Sequence, residues 1–169
     1  MKCTKVIDPI YQGSMVMSRR VLIMRHAKSS WENQALTDHQ RPLNKRGRSD
    51  APRIAAALKE MDWIPDRVFV SDSQRTLETL ALLQTEFGEL PVQTMEELYH
   101  PTTATIHACI ESAKKGETVL VLSHNPATEL VLYEITKQFH RMPAAACALL
   151  IEQNGQWHCQ HILRPKELD

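Results

Sequence analysis

The chain has 169 residues, enough for one domain with its own apolar core and no need of disulfide or metal staples. It is 43% hydrophobic and 24% charged, the balance of an ordinary globular protein. Twenty Lys and Arg offset twenty Asp and Glu, which excludes the broad basic field of a nucleic-acid or anionic-membrane binder, so any anion site must be local.

Residues 1–18 are mixed in character, are broken by Asp8 and Pro9, and lack the apolar centre of a signal peptide. They read as a loosely ordered extension ahead of a domain over 19–169, with Met15 and Met17 as alternative starts. No run is apolar for the length of a membrane span. Cys3, Cys109, Cys147 and Cys159 form no Cys-x-x-Cys pair, which points to a reducing, cytoplasmic setting.

The first strand is Val21-Leu22-Ile23-Met24, four apolar residues in a row. The polar stretch from Trp31 to Leu43 is a loop. Ala51, Ile54, Ala55, Leu58 and Met61 then recur at helical spacing. Pro52 fits the first turn of that helix if Ser49 is the N-cap; the alternative is an earlier start at Asn44 with a bend between. Arg67–Ser71 is a second strand, Gln74–Phe87 a second helix stopped by Gly88, and Pro91–Met95 a weak third strand. Thr102 or Thr105 caps a third helix, ended by Gly116. Thr118–Leu122 is uninterruptedly apolar, as a central parallel strand should be. A fourth helix opens with Asn125 as N-cap and Pro126 at its first position. Ala146–Glu152 and Trp157–Leu163 flank Asn154-Gly155, a hairpin signal. The expected fold is an α/β three-layer sandwich with a mostly parallel central sheet and a C-terminal β-hairpin.

Chemistry collects after the parallel strands. The first delivers Arg25-His26, the second Ser71 to Arg75, the third Glu97-Leu98-Tyr99-His100, and the fourth Ser123-His124-Asn125. Open α/β sheets bind ligands outside the carboxyl ends of their strands, so two arginines, two histidines and several helix N-termini converge on one edge. Such a cluster suits a tetrahedral oxyanion, and the inferred ligand is a phosphoryl group. There is no Gly-rich Walker loop, no Cys opening a short loop that ends in Arg, and no Asp cluster for Mg²⁺. A histidine nucleophile remains, forming a phosphoramidate that water later hydrolyses. His26 must be neutral to attack, and Arg25 and Arg75 favour that form while clamping the equatorial oxygens. His124, if protonated, donates to the same oxygens. The small residues Ala27, Ser29 and Ser30 let backbone crowd a ligand.

At these residues the chain resembles the histidine phosphatase superfamily, with its Arg-His near the start, second arginine and later histidine. Leu22 to Trp31 is similar to the opening of the SixA-type phosphohistidine phosphatases. Asp38 to Gly47, Ser71 to Thr76 and Ser123 to Pro126 continue the likeness, which spans about Arg20 to Pro165. The resemblance implies a phosphoglycerate-mutase-like fold and cofactor-free, metal-free phosphoryl transfer. It makes His26 the phosphorylated residue, with Arg25, Arg75 and His124 completing the pocket. It also implies the substrate, phosphohistidine on a protein such as a phosphotransfer domain. The rivals are a phosphatase of small phosphate esters and a non-catalytic phosphate-binding module. Ala27 stands where Gly is the hallmark, and Ser123 where Gly is commoner. Mutase-type relatives carry a proton-donating glutamate where this chain has His100, with Glu97 nearby. Glu97 and His100 are the candidate proton donors, with a solvated loop as the alternative. Asp38 and Arg41 read as a loop ion pair or a substrate-gating lip, and Ser29 and Arg41 join the substrate-binding candidates. His158 and His161 would point to opposite faces of a strand, so no zinc site is expected there. A monomer is expected, with no nucleic-acid or membrane partner.

Overall fold

The structure is a computed structural model in which residues 18–169 are described. Cys3, Met15, Met17 and the rest of the expected extension lie outside the described residues, apart from Ser18, whose carbonyl accepts the Gly116 N–H at 3.3 Å.

Six strands form one mixed sheet: β1 (Arg20–Arg25), β2 (Arg67–Ser71), β3 (Val92–Met95), β4 (Thr118–Ser123), β5 (Cys147–Gln153) and β6 (Gln156–Leu163), in the spatial order β3-β2-β4-β1-β5-β6. β1, β2, β3 and β4 are mutually parallel, whereas β5 runs antiparallel to both β1 and β6. β1 and β4 lie at the centre. Val21 to Met24 and the whole of β4 are buried, which is why both strands are apolar at every inner position rather than alternating.

The pleat sends side chains alternately to two layers. Leu22, Met24, Leu120, Leu122 and Leu149 pack under α1 (Lys45–Glu60) and α2 (Gln74–Phe87). Val21, Ile23, Val119, Val121 and Leu150 pack under α3 (Thr103–Glu111) and α4 (Ala127–Thr136). The result is the expected three-layer α/β sandwich. The hairpin between β5 and β6 turns at Asn154 and Gly155, both at positive φ (53° and 76°), as a two-residue turn between right-twisted strands requires.

Three helix ends differ from the sequence reading. α1 is uninterrupted from Lys45, with Asn44 rather than Ser49 as cap: its side chain accepts the Gly47 N–H at 2.8 Å. Pro52 therefore sits inside the helix at the cost of one backbone bond, while the cap satisfies the first turn. α3 takes Thr102 as its cap but stops at Glu111, and Gly116 belongs to the turn into β4. α4 is preceded by Pro126, because the Asn125 side chain is engaged elsewhere: it bonds Thr128, Glu129 (3.1 Å) and the Met142 carbonyl (2.9 Å). Among the described residues no helix is long and apolar enough to cross a membrane.

Candidate active site

Strand register builds the site. Arg25 pairs with Ser123 at the carboxyl ends of β1 and β4, so the next residues, His26 and His124, emerge side by side. The His26 N–H donates to the Ser123 carbonyl at 3.2 Å, and the two imidazole centroids are 5.1 Å apart. β2 ends beside them at Ser71, and α2 begins three residues later, which brings Arg75 in its first turn against His26. Thr79 ties that turn to the end of β1: its hydroxyl donates to the Arg75 carbonyl at 2.7 Å and accepts the Ala27 N–H at 3.0 Å.

The hydrogen bonds assign the tautomer of His26. Nδ1 lies 2.7 Å from the Ala27 carbonyl, which only accepts, so Nδ1 carries the proton and Nε2 keeps its lone pair. Arg75 Nε donates to that Nε2 at 3.3 Å. Burial first, then the charges of Arg75, Arg25 and Arg41, lower the His26 pKa to about 4. The imidazole is neutral, as an attacking nitrogen must be.

His124 is also neutral, so the protonated donor considered from the sequence is absent. Burial, then His26, Arg75 and His100, lower its pKa to about 3. The Ser71 hydroxyl accepts the Ser73 N–H at 3.3 Å and stands 2.9 Å from His124 Nε2. Arg75 Nη2, which only donates, lies 3.5 Å from Nδ1, so Nδ1 accepts and Nε2 carries the proton, facing the Ser71 hydroxyl. The Arg75 guanidinium thus bridges the two site imidazoles, from Nε to His26 and from Nη2 to His124.

Arg25 contributes an orphan. Its Nη1 donates to the Met142 carbonyl at 3.1 Å, but its Nε is the buried side-chain nitrogen that, among the described residues, has no partner. A buried N–H left unpaired costs on the order of 1–3 kcal/mol, which a ligand oxygen would recover.

These groups wall a cavity of about 370 Å³. Arg25, Arg41, Arg75 and Lys28 line it, and among the described residues no carboxylate does. Ser29 and His100 line it as well. Glu97 does not: it is exposed on the Glu96–Leu98 turn, so of the two proton-donor candidates only His100 faces the cavity. Asp38 and Arg41 are a loop ion pair at 2.8 Å, and Arg41 also reaches the cavity, where it donates to the Ser29 hydroxyl. The Asp38 carboxylate further accepts from Arg75 Nη2 at 3.0 Å and from the Tyr99 hydroxyl, while its carbonyl accepts Arg75 Nη1 at 2.6 Å. The Tyr99 bond first, then Arg41 and Arg75, hold its carboxyl far below the ordinary range.

Sequence reasoning assigned no role to Tyr99, Lys28, Trp31 or Ala144, all of which line the cavity. Tyr99 follows the third parallel strand, where ligand groups are expected, and could have been found there. Ala144 precedes the antiparallel β5 and carried no such signal.

Comparison with known proteins gives one consistent result. The sequence pattern of the histidine phosphatase superfamily (branch 1) matches residues 21–100. An uncharacterised chloroplastic protein of Arabidopsis thaliana is 30% identical over 163 residues, covering 90% of this chain and 75% of its own length. A solved structure from Agrobacterium tumefaciens, assigned as a phosphohistidine phosphatase SixA, superposes with a TM-score of 0.77 at 25% identity, over 87% of this chain and 98% of its own. The protein histidine phosphatase SixA complexed with tungstate gives 0.78 at 22% identity, over 89% and 99%.

Proposed function

The chain belongs to the histidine phosphatase superfamily, and on that premise we propose that it is a phosphohistidine phosphatase acting through a covalent intermediate on His26. The observation that carries this reading is the unprotonated Nε2 of His26 in a cavity walled by arginines and, among the described residues, free of carboxylates. His26 Nε2 attacks the phosphorus of a substrate phosphohistidine. The P–N bond to the substrate imidazole breaks in line, and that nitrogen takes up a proton. Water then attacks the phosphorus of phosphorylated His26, the new P–Nε2 bond breaks, and inorganic phosphate leaves with His26 neutral again. Arg25 Nε and Arg75 hold the equatorial oxygens, where the transition state spreads its charge, and His124 aligns the Arg75 fork. Ser29 and Arg41 support the wall of the cavity.

Imidazole is a better leaving group than an alkoxide, so a strong general acid is not required, and His100 at the cavity mouth suffices to exchange the proton. Lys28, Trp31 and His100 are exposed, which leaves the mouth open to a side chain displayed on another protein. We read the enzyme as a cytoplasmic monomer working without a cofactor. The test is turnover of phosphorylated phosphotransfer domains beside small aryl and sugar phosphates. The reading expects fast release from the former, slow release from the latter, and acid-labile, base-stable label on His26. Preferential turnover of small esters would favour a monoester phosphatase. Label that persists in His26→Ala would remove the nucleophile, and binding without turnover would leave a phosphate-binding module.

A further inference from the structure

Beside the cavity of His26 lies a second one of about 390 Å³, between the end of β1 and the Pro165–Glu167 turn. Arg25, Lys28 and Ala144 line both, so the two are continuous along one wall. The second cavity adds Arg46, Arg141, Arg164 and Lys166, set against one acid, Glu167. In a chain whose charges balance overall, this is a strong local excess of positive charge. Arg46 is held by Asp50 at 3.4 Å, and Arg164 by Glu167 at 3.5 Å and the Arg141 carbonyl at 3.1 Å. Among the described residues the exposed side chains of Lys28, Arg141 and Lys166 have no ion pair or hydrogen bond.

We propose that this basic groove receives acidic side chains flanking the phosphohistidine on the partner protein. The inference rests on the phosphohistidine reading and extends it to the partner's surface. A phosphorylated side chain that reaches His26 must lay its neighbouring residues across the shared wall of Arg25, Lys28 and Ala144. The free cations are long, flexible and solvent-facing, which suits attraction to several carboxylates rather than the forked grip that fixes a single phosphate.

Two phosphohistidine peptides of one sequence, flanked by Glu in one and Gln in the other, test this. The wild-type enzyme is expected to show about tenfold higher kcat/KM on the Glu peptide at low salt. The advantage should vanish near 1 M salt, where the Debye length is about 3 Å. It should also vanish in R141E/K166E, with thermal unfolding and slow p-nitrophenyl phosphate turnover unchanged; the neutral R141Q/K166Q pair replaces it if the reversal unfolds the chain. Equal rates on both peptides in the wild type, or a preference that survives the double substitution, overturns the groove. If neither peptide is turned over, the phosphohistidine reading fails by itself. The groove is then read from fluorescent oligoglutamate: binding lost in R141E/K166E sustains it. No binding, or binding of inorganic tripolyphosphate alone, refutes it.

Discussion

Arg75 Nε donates to His26 Nε2 at 3.3 Å, so the lone pair that attacks phosphorus in the proposed mechanism is covered by the guanidinium that, on the same proposal, holds the phosphate. An arriving phosphoryl oxygen is a stronger acceptor than a neutral imidazole, and it draws the N–H away. Seating the anion and uncovering the nucleophile become one event. Lysine keeps the charge but lacks the planar fork that reaches His26, Asp38 and the ligand together. Arg75→Lys should lower kcat/KM by about 10²–10³, the usual effect of losing one transition-state donor. Single-turnover formation of the phosphoenzyme measures this, and near-normal formation would refute the coupling.

The two buried histidines set the response to acid. His26 has its pKa lowered from 6.5 to about 4, and His124 to about 3, chiefly by burial. As pH falls through 6.5, the unfolded chain gains these protons while the folded chain refuses them, so stability is full above 6.5 and declines below it. By pH 4 the loss from His26 alone is roughly 3 kcal/mol. The acid limb of kcat/KM should accordingly lie below 5, well under the ordinary histidine range. Thermal unfolding against pH and histidine NMR titration check both statements, and a site histidine titrating near 6.5 would contradict them.

Much of this was legible before any coordinates. Arg25, His26, Arg75 and His124 follow strands that periodicity identifies, and parallel strands bring their carboxyl ends to one edge. What escaped depends on contacts that local pattern does not encode. Asn44 outcompetes Ser49 as a cap because Asn44 also donates its N–H to the Lys28 carbonyl at 2.9 Å, a tertiary bond. Asn125 loses its cap role to a network reaching Met142, distant in sequence. The neutrality of His124 follows from burial beside His26, which only the register of β1 with β4 reveals.

Asp38 competes with the ligand for Arg75. Its carboxylate stays ionised and occupies Nη2, though the bond from Nη1 to its carbonyl does not depend on that charge. Asp38→Asn should therefore tighten binding of inorganic phosphate or tungstate by about twofold to fivefold, the worth of one half-exposed charge pair. Turnover should fall, because Arg75 loses part of its orientation. Competitive inhibition constants decide the matter, and weaker anion binding in the variant would show that Asp38 only positions Arg75.

Gly47 is where α1 crosses the backbone that follows His26. A Cβ there would lie 2.2 Å from the Lys28 carbonyl oxygen, a backbone atom that yields only if the strand end moves. Gly47→Ala should cost about 1–3 kcal/mol despite the better helix propensity of alanine. At about 2–4 °C in Tm per kcal/mol, the change is measurable by thermal unfolding, together with reduced activity from a displaced Lys28 segment. A more stable variant would contradict the close approach.

Ser71 lies behind His124 and sets its tautomer. The hydroxyl is buried and 2.9 Å from Nε2; without it the nearest hydroxyl is that of Ser73, at 3.5 Å. Ser71→Ala removes the acceptor of the Nε2–H and frees the ring to place its proton on Nδ1, turning the lone pair that accepts from Arg75 Nη2 into a donor facing it. The expected loss in kcat/KM is about 1–3 kcal/mol, or about fivefold to 150-fold. Because Ser71 acts only through His124, the substitution should add nothing in a His124→Ala background, and a double-mutant cycle measures that coupling. Additive losses would mean that the serine serves packing rather than the tautomer.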